Sequence, residues 1–186
     1  MSRFAITDTP LTGLKLLARQ QLGDERGFLS RLFCDDELQA AGWSGPVAQV
    51  NHTHTRLRGT VRGLHYQLPP HAEVKLVTCL RGAVWDVAVD LRPDSPSFLR
   101  WHAELLSADN ARTLLIPQGF AHGFQTQTDD VDMLYCHSAA YAGQFEAGLN
   151  PQDERLAIAW PLAVQGLSAR DAGHPMLTTH FEGVRL

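Results

Sequence analysis

Cysteine is scarce and its number is odd. Only Cys34, Cys79 and Cys136 occur, with no Cys-x-x-Cys spacing. That excludes a disulfide framework and a zinc ribbon and points to a reducing, cytoplasmic setting. No apolar run approaches the roughly 18–20 residues of a membrane span, and residues 1–20 lack a charged stretch followed by a long apolar one. Basic runs are absent too, and the net charge is −4. A nucleic-acid polymer needs clustered positive charge, so that partner is excluded, whereas a small anionic ligand needs only a few pocket arginines. Long helical periodicities, internal repeats and low-complexity linkers are missing, which argues against a parallel sheet with crossover helices and against a second domain within residues 1–186.

What the chain has instead is a strand rhythm. Hydrophobic residues make up 44 % of it and charged ones 19 %, enough apolar material for a packed core. One stretch organises the rest. Val61–Gln67 reads as a strand, a Leu68-Pro69-Pro70 break follows, then Val74–Leu80, an Arg81-Gly82 turn and Ala83–Leu91. Further strands are predicted at Val47–Thr53, Leu99–Ser107, Arg112–Ile116, Phe120–Thr126 and Val131–His137, with turns at Pro93–Pro96, Ala108–Asn110, Pro117–Gly119 and Asp129-Asp130. Residues 1–20 read as one early strand and a loop. Asp35–Gly42 reads as a short helix, capped by Asp35 and stopped by Gly42. The pattern is all-β, an antiparallel sandwich or barrel of jelly-roll or cupin type with a few short helices.

Alternation along a strand assigns faces. Trp85, Val87, Val89 and Leu91 share an apolar face; Asp86 and Asp90 lie opposite, among Val84 and Ala88. In Val61–Gln67 the same rule puts His65 with Val61, Gly63 and Gln67, and Arg62 on the other side with Leu64 and Tyr66. His65 is a base that titrates near neutrality. Lys75, on the next strand, gains little from facing an interior unless a charge there needs it. A base and a cation on neighbouring strands suit a site where a proton leaves and negative charge appears. A second arrangement, His52-x-His54 with His122, has the residue types of a metal cupin, but Leu57, Arg58 and Gly59 stand where such a site offers a glutamate.

Several motifs then fall in order: Asp24-Glu25-Arg26-Gly27-Phe28, Gln49-x-Asn51-His52-Thr53-x-Thr55, Arg62–Gln67, Lys75-Leu76-Val77, Asp86–Arg92, Ile116–Phe124 and Leu167–Asp171. Together they resemble the dTDP-4-dehydrorhamnose 3,5-epimerase family. The resemblance implies a cupin-like jelly roll, a homodimer, a dTDP-linked nucleotide-sugar substrate, and no metal or other cofactor. It implies roles as well. His65 matches the base, Asp171 the carboxylate that orients it, Lys75 the enolate stabiliser and Tyr135 the acid on the opposite face. Arg26, Gln49, Asn51, Arg62 and His122 match positions that contact the nucleotide sugar. Departures from the family pattern fall at Leu22, Arg31, Ala140 and residues 149–153, in parts that would cover nucleotide and sugar. None touches the four chemical residues.

Overall fold

The computed structural model describes residues 2–186. In chain order its strands are β1 (Phe4–Asp8), β2 (Lys15–Arg19), β3 (Gln21–Asp24), β4 (Gly27–Ser30), β5 (Gln49–Thr55), β6 (Val61–Gln67), β7 (Lys75–Arg81), β8 (Ala83–Asp90), β9 (Trp101–Ser107), β10 (Arg112–Ile116), β11 (Phe120–Thr126), β12 (Val131–His137) and β13 (Glu146–Gly148). Helix α1 (Asp35–Gln39) and helix α2 (Ala169–Ala172) are both short. All strand pairings between these elements are antiparallel. One sheet has the order β1-β2-β10-β7-β12-β5, the other β13-β6-β11-β8-β9. They face each other as a cupin-like jelly-roll sandwich.

Three apolar layers follow from strand parity. Val77, Val84, Ala88, Leu106, Leu114, Phe120, Phe124 and Met133 fill the space between the sheets. Val87, Val89 and Leu91 point the other way, where Leu149, Leu156, Leu177 and Val184 of the C-terminal segment cover them. The outer face of the larger sheet, with Leu17, Leu76, Leu115 and Cys136, is closed by Leu38, Ala41 and Trp43 in and after α1. The face assignment of β8 therefore holds on both sides. The loose C-terminal pieces are a lid over one sheet, held largely by this apolar burial.

Three sequence expectations need correction. Residues 1–20 hold two strands, paired through Thr7↔Leu16 and their neighbours, because Gly13 reverses the chain at φ 87°. Asp35 is not the cap of α1. Cys34 occupies that position without a side-chain bond, and Asp35, Asp36 and Glu37 sit in the first turn, where carboxylates favour the positive helix end. The third concerns β6. Its pairing with β11 slips, so that His65 opposes His122 but Arg62 opposes Phe124, giving β6 one extra residue. The backbones touch there: a Cβ on Gly63 would lie 2.6 Å from Gly123 Cα, and one on Gly123 2.6 Å from Arg62 O. Only glycine permits that approach. The slip turns Arg62 to the same cavity as His65, against the simple alternation rule.

Candidate active site

A cavity of about 300 Å³ opens between the sheets. β6 contributes Arg62, His65 and Gln67, and β11 contributes His122. From the facing sheet come Lys75 on β7, Tyr135 and His137 on β12, and Gln49, Asn51 and Thr53 on β5. Asp171 enters from α2. Of the nine site residues expected from sequence, eight line this one cavity.

His65 Nε2 donates to Asp171 Oδ1 at 2.7 Å. Asp171 is placed by its helix: Ser168 caps α2 and accepts from the Asp171 N–H at 3.0 Å. The Gly63 N–H gives its other oxygen a long bond of 3.4 Å. With Nε2 committed as a donor, Nδ1 is the nitrogen with a free lone pair. Burial lowers the pKa of His65, as do nearby Arg170 and Lys75, while Asp171 opposes them. The ring is therefore neutral, a proton acceptor, at neutral pH.

Lys75 Nζ reaches across to the His65 carbonyl at 3.2 Å and pairs with Glu73 Oε1 at 3.1 Å. Glu73 is buried and accepts from Gln67 Nε2 at 2.8 Å. This is the interior charge that an inward lysine required. Tyr135 is held between two imidazoles, edge-on to His122 (6.1 Å between centroids) and near-parallel to His137 (6.2 Å). Burial raises its pKa, so the phenol keeps its proton at neutral pH. Its hydroxyl lies within hydrogen-bonding reach of Thr53 Oγ1 at 3.4 Å. His122 Nε2 donates to Asp86, 3.0 Å from both oxygens. Arg62 Nε donates to Thr55 Oγ1 at 2.9 Å. Gln49 Nε2 donates to Asn51 Oδ1 at 3.1 Å, and its carbonyl accepts from the Tyr141 N–H at 2.9 Å.

Arg26 is the ninth residue, and it stands apart. It sits at the turn of the β3–β4 hairpin with its side chain 85 % exposed, paired among the described residues only with Asp24. The metal-cupin arrangement is not assembled either. His52 and His54 lie on the outer face of β5, bonded to Asp132 at 3.1 and 2.9 Å, while His122 is inside and committed to Asp86. Parity keeps positions 52 and 54 off the cavity face that carries Asn51 and Thr53.

Sequence reasoning missed Glu73, His137, Tyr141 and Glu146. Glu73 follows the Pro69-Pro70 break, and nothing in its neighbours signals burial. Tyr141 donates to Glu146 at 2.8 Å across the cavity rim. His137 was legible as a strand residue on the face of Tyr135 and no further. Burial, aided by Lys75 and His122 and opposed by Glu73, lowers its pKa from the ordinary 6.5 to about 4. Such a group is neutral in the fold but protonates in the unfolded chain once pH drops below 6.5. Its contribution to stability is complete above that value and declines as pH falls toward 4. The unfolding temperature should therefore drop by several degrees over that interval, and His137→Gln should flatten the decline. Calorimetric scans at pH 7, 5.5 and 4 check both.

Comparison with known proteins places the chain. A sequence model described as dTDP-4-dehydrorhamnose 3,5-epimerase matches residues 8–179. The chain is similar to the dTDP-4-dehydrorhamnose 3,5-epimerase of Sinorhizobium fredii, 39 % identical over 165 residues, 88 % of this chain and 85 % of that one. Among solved structures, the dTDP-4-dehydrorhamnose 3,5-epimerase of Bacillus anthracis, with TDP and pyrophosphate bound, superposes with TM-score 0.90 at 39 % identity, covering 94 % of this chain and 99 % of that one. A 3'-monoepimerase from Streptomyces bikiniensis in complex with dTDP-quinovose gives 0.84 at 35 % identity, covering 90 % and 85 %.

Proposed function

This chain belongs to the dTDP-4-dehydrorhamnose 3,5-epimerase family, and from that premise we infer that it is an isomerase of deoxysugar biosynthesis. It inverts a dTDP-4-keto-6-deoxyhexose at C3, C5 or both through an enolate.

The observation that carries the residue assignment is the division of the cavity between two sheets. His65 comes from one wall, and Lys75 and Tyr135 from the other. A flat ketone lodged between them meets the imidazole on one face and the phenol on the other. His65 Nδ1 takes the proton from the carbon beside the carbonyl. The C–H electron pair becomes the enolate, whose charge collects on the C4 oxygen beside the Lys75 ammonium. Tyr135 then gives its O–H proton to the opposite face, and the centre is inverted. Solvent resets the pair by removing the proton from His65 and returning one to Tyr135. Each positioned proton-transfer group contributes about 10²–10⁴-fold, and a donor at the oxyanion about 3–4 kcal/mol. Asp171 keeps the imidazole in the required tautomer. Arg62, Gln49, Asn51 and His122 hold the nucleotide sugar, the arginine suiting its diphosphate. No step in this chemistry calls on a metal or other cofactor.

Arg26 enters this reading through a second copy. The hairpin that bears it exposes Phe28 (64 %) and Leu29 (70 %), and β5, at the edge of its sheet beside the cavity, exposes Val50 (56 %). A homodimer in which one copy's hairpin covers the other's β5 buries these residues and brings Arg26 to the diphosphate. With its three cysteines free, the dimer suits the cytoplasm. Sedimentation should show a dimer, and Arg26→Ala should raise KM more than it lowers kcat.

The reaction itself is tested by proton NMR of dTDP-4-keto-6-deoxyglucose in heavy water. Enzyme-dependent loss of the C3 signal, the C5 signal or both is expected. Full retention of both, with that sugar and with its relatives on other nucleotides, contradicts the reading.

A further inference from the structure

We propose that His65, Asp171 and His174 form an inhibitory binding site for a divalent transition-metal ion of the zinc type. His174 follows α2, three residues after Asp171, and no step of the epimerisation uses it. Its ring lies edge-on to His65, with 5.6 Å between centroids at 72°. The ring packs directly over Gly148, where a Cβ would sit 2.3 Å from His174 Nε2. That nitrogen is buried, has no hydrogen-bond partner among the described residues, and lies 3.9 Å from Asp171 Oδ1. One donor atom from each of the three residues lies within 4.8 Å of the other two.

The set suits the ion. Two imidazoles and a carboxylate are zinc ligands, and bonds of about 2.0–2.2 Å in tetrahedral geometry place donors roughly 3.3 Å apart. The separations from Asp171 Oδ1, 2.7 Å to His65 and 3.9 Å to His174, straddle that value. Asp171 and His65 line the cavity, so a water can complete the tetrahedron from that side. The nearby cations each have a carboxylate partner: Lys75 is paired with Glu73 and Arg170 with Glu146.

Occupancy would invert the imidazole. Neutral histidine has one N–H and one lone pair. An ion that takes the Nε2 lone pair leaves the ring proton on Nδ1, the nitrogen that must accept the sugar's proton. The hydrogen bond from His65 to Asp171 is replaced by two metal bonds, and nothing is oxidised or reduced. This inhibitory consequence rests on the epimerase reading; the binding does not.

The test uses the full-length protein and two readouts. Cobalt(II) added to metal-free enzyme should produce visible tetrahedral absorption bands at one equivalent, which zinc then displaces. His174→Asn should weaken cobalt binding at least about tenfold. Zinc should suppress wild-type exchange, EDTA should restore it, and the fold-inhibition should shrink in His174→Asn. A separate cluster at the surface, His52 and His54 on Asp132, is controlled by His54→Ala, which should leave cobalt affinity unchanged. Absence of tetrahedral bands at millimolar cobalt, or binding lost in His54→Ala and retained in His174→Asn, overturns the site. Undiminished exchange with zinc bound overturns its inhibitory role. Cobalt binding in a protein that shows no metal-free exchange would instead retire the epimerase reading and leave the site standing.

Discussion

His65→Ala should remove solvent exchange at both C3 and C5 of the keto sugar, with a loss approaching the upper end of the 10²–10⁴-fold contribution of a positioned base. The effect is large because the structure offers no substitute. His122 is bound to both oxygens of Asp86, and His137 lies on the Tyr135 side of the cavity. Asp171 sits behind the imidazole at 2.7 Å, and removing the ring leaves that carboxylate short of the substrate. The fold should survive, since the His65 side chain is 31 % exposed and contributes little to the core. Affinity for dTDP should also survive, because Arg62, Gln49 and Asn51 are untouched. Progress curves in heavy water and calorimetric titration with dTDP separate the two. Exchange at one carbon that persists near the wild-type rate would show that a different group abstracts that proton.

Tyr135→Phe should split the reaction. Removal of the hydroxyl leaves the ring in place between His122 and His137, so packing changes little. Proton abstraction at His65 continues, and deuterium re-enters from the same face with the configuration retained. Inversion needs a proton from the other wall and should fall by about 10²–10⁴-fold. The measurement is the ratio of label incorporated into unchanged substrate to epimerised product. That ratio should rise steeply in the variant. An equal loss of both rates would remove Tyr135 from the acid role and make it a structural aromatic.

Alternation and turn chemistry made the sandwich legible. β6, β10, β11 and β12 begin and end where their apolar periodicity and flanking glycine, proline and aspartate residues put them. β9 starts two residues later than expected because Leu99, at φ 59°, still belongs to the preceding turn. Residue types and their order marked most of the cavity. What stayed hidden depends on distance in three dimensions. The slip at Gly63 that brings Arg62 beside His65 arises from contact with Gly123, 60 residues further on in the neighbouring strand β11. Glu73 gains its meaning only once the chain folds Lys75 and Gln67 around it. Arg26 was named from its motif, yet within one copy it points to solvent. His174 follows a recognisable Leu167–Asp171 motif but carries no signal until α2 turns it toward Asp171.

The central claim is geometric: base and acid on opposite faces of one ketone, with an ammonium at its oxygen. A crystal structure of the enzyme with an unreactive dTDP-linked hexose tests it most directly. The account predicts the oxygen on C4 within hydrogen-bonding distance of Lys75 Nζ, His65 Nδ1 against one face of the ring and the Tyr135 hydroxyl against the other. A hexose bound with His65 and Tyr135 on the same face, or with C4 turned away from Lys75, would contradict it.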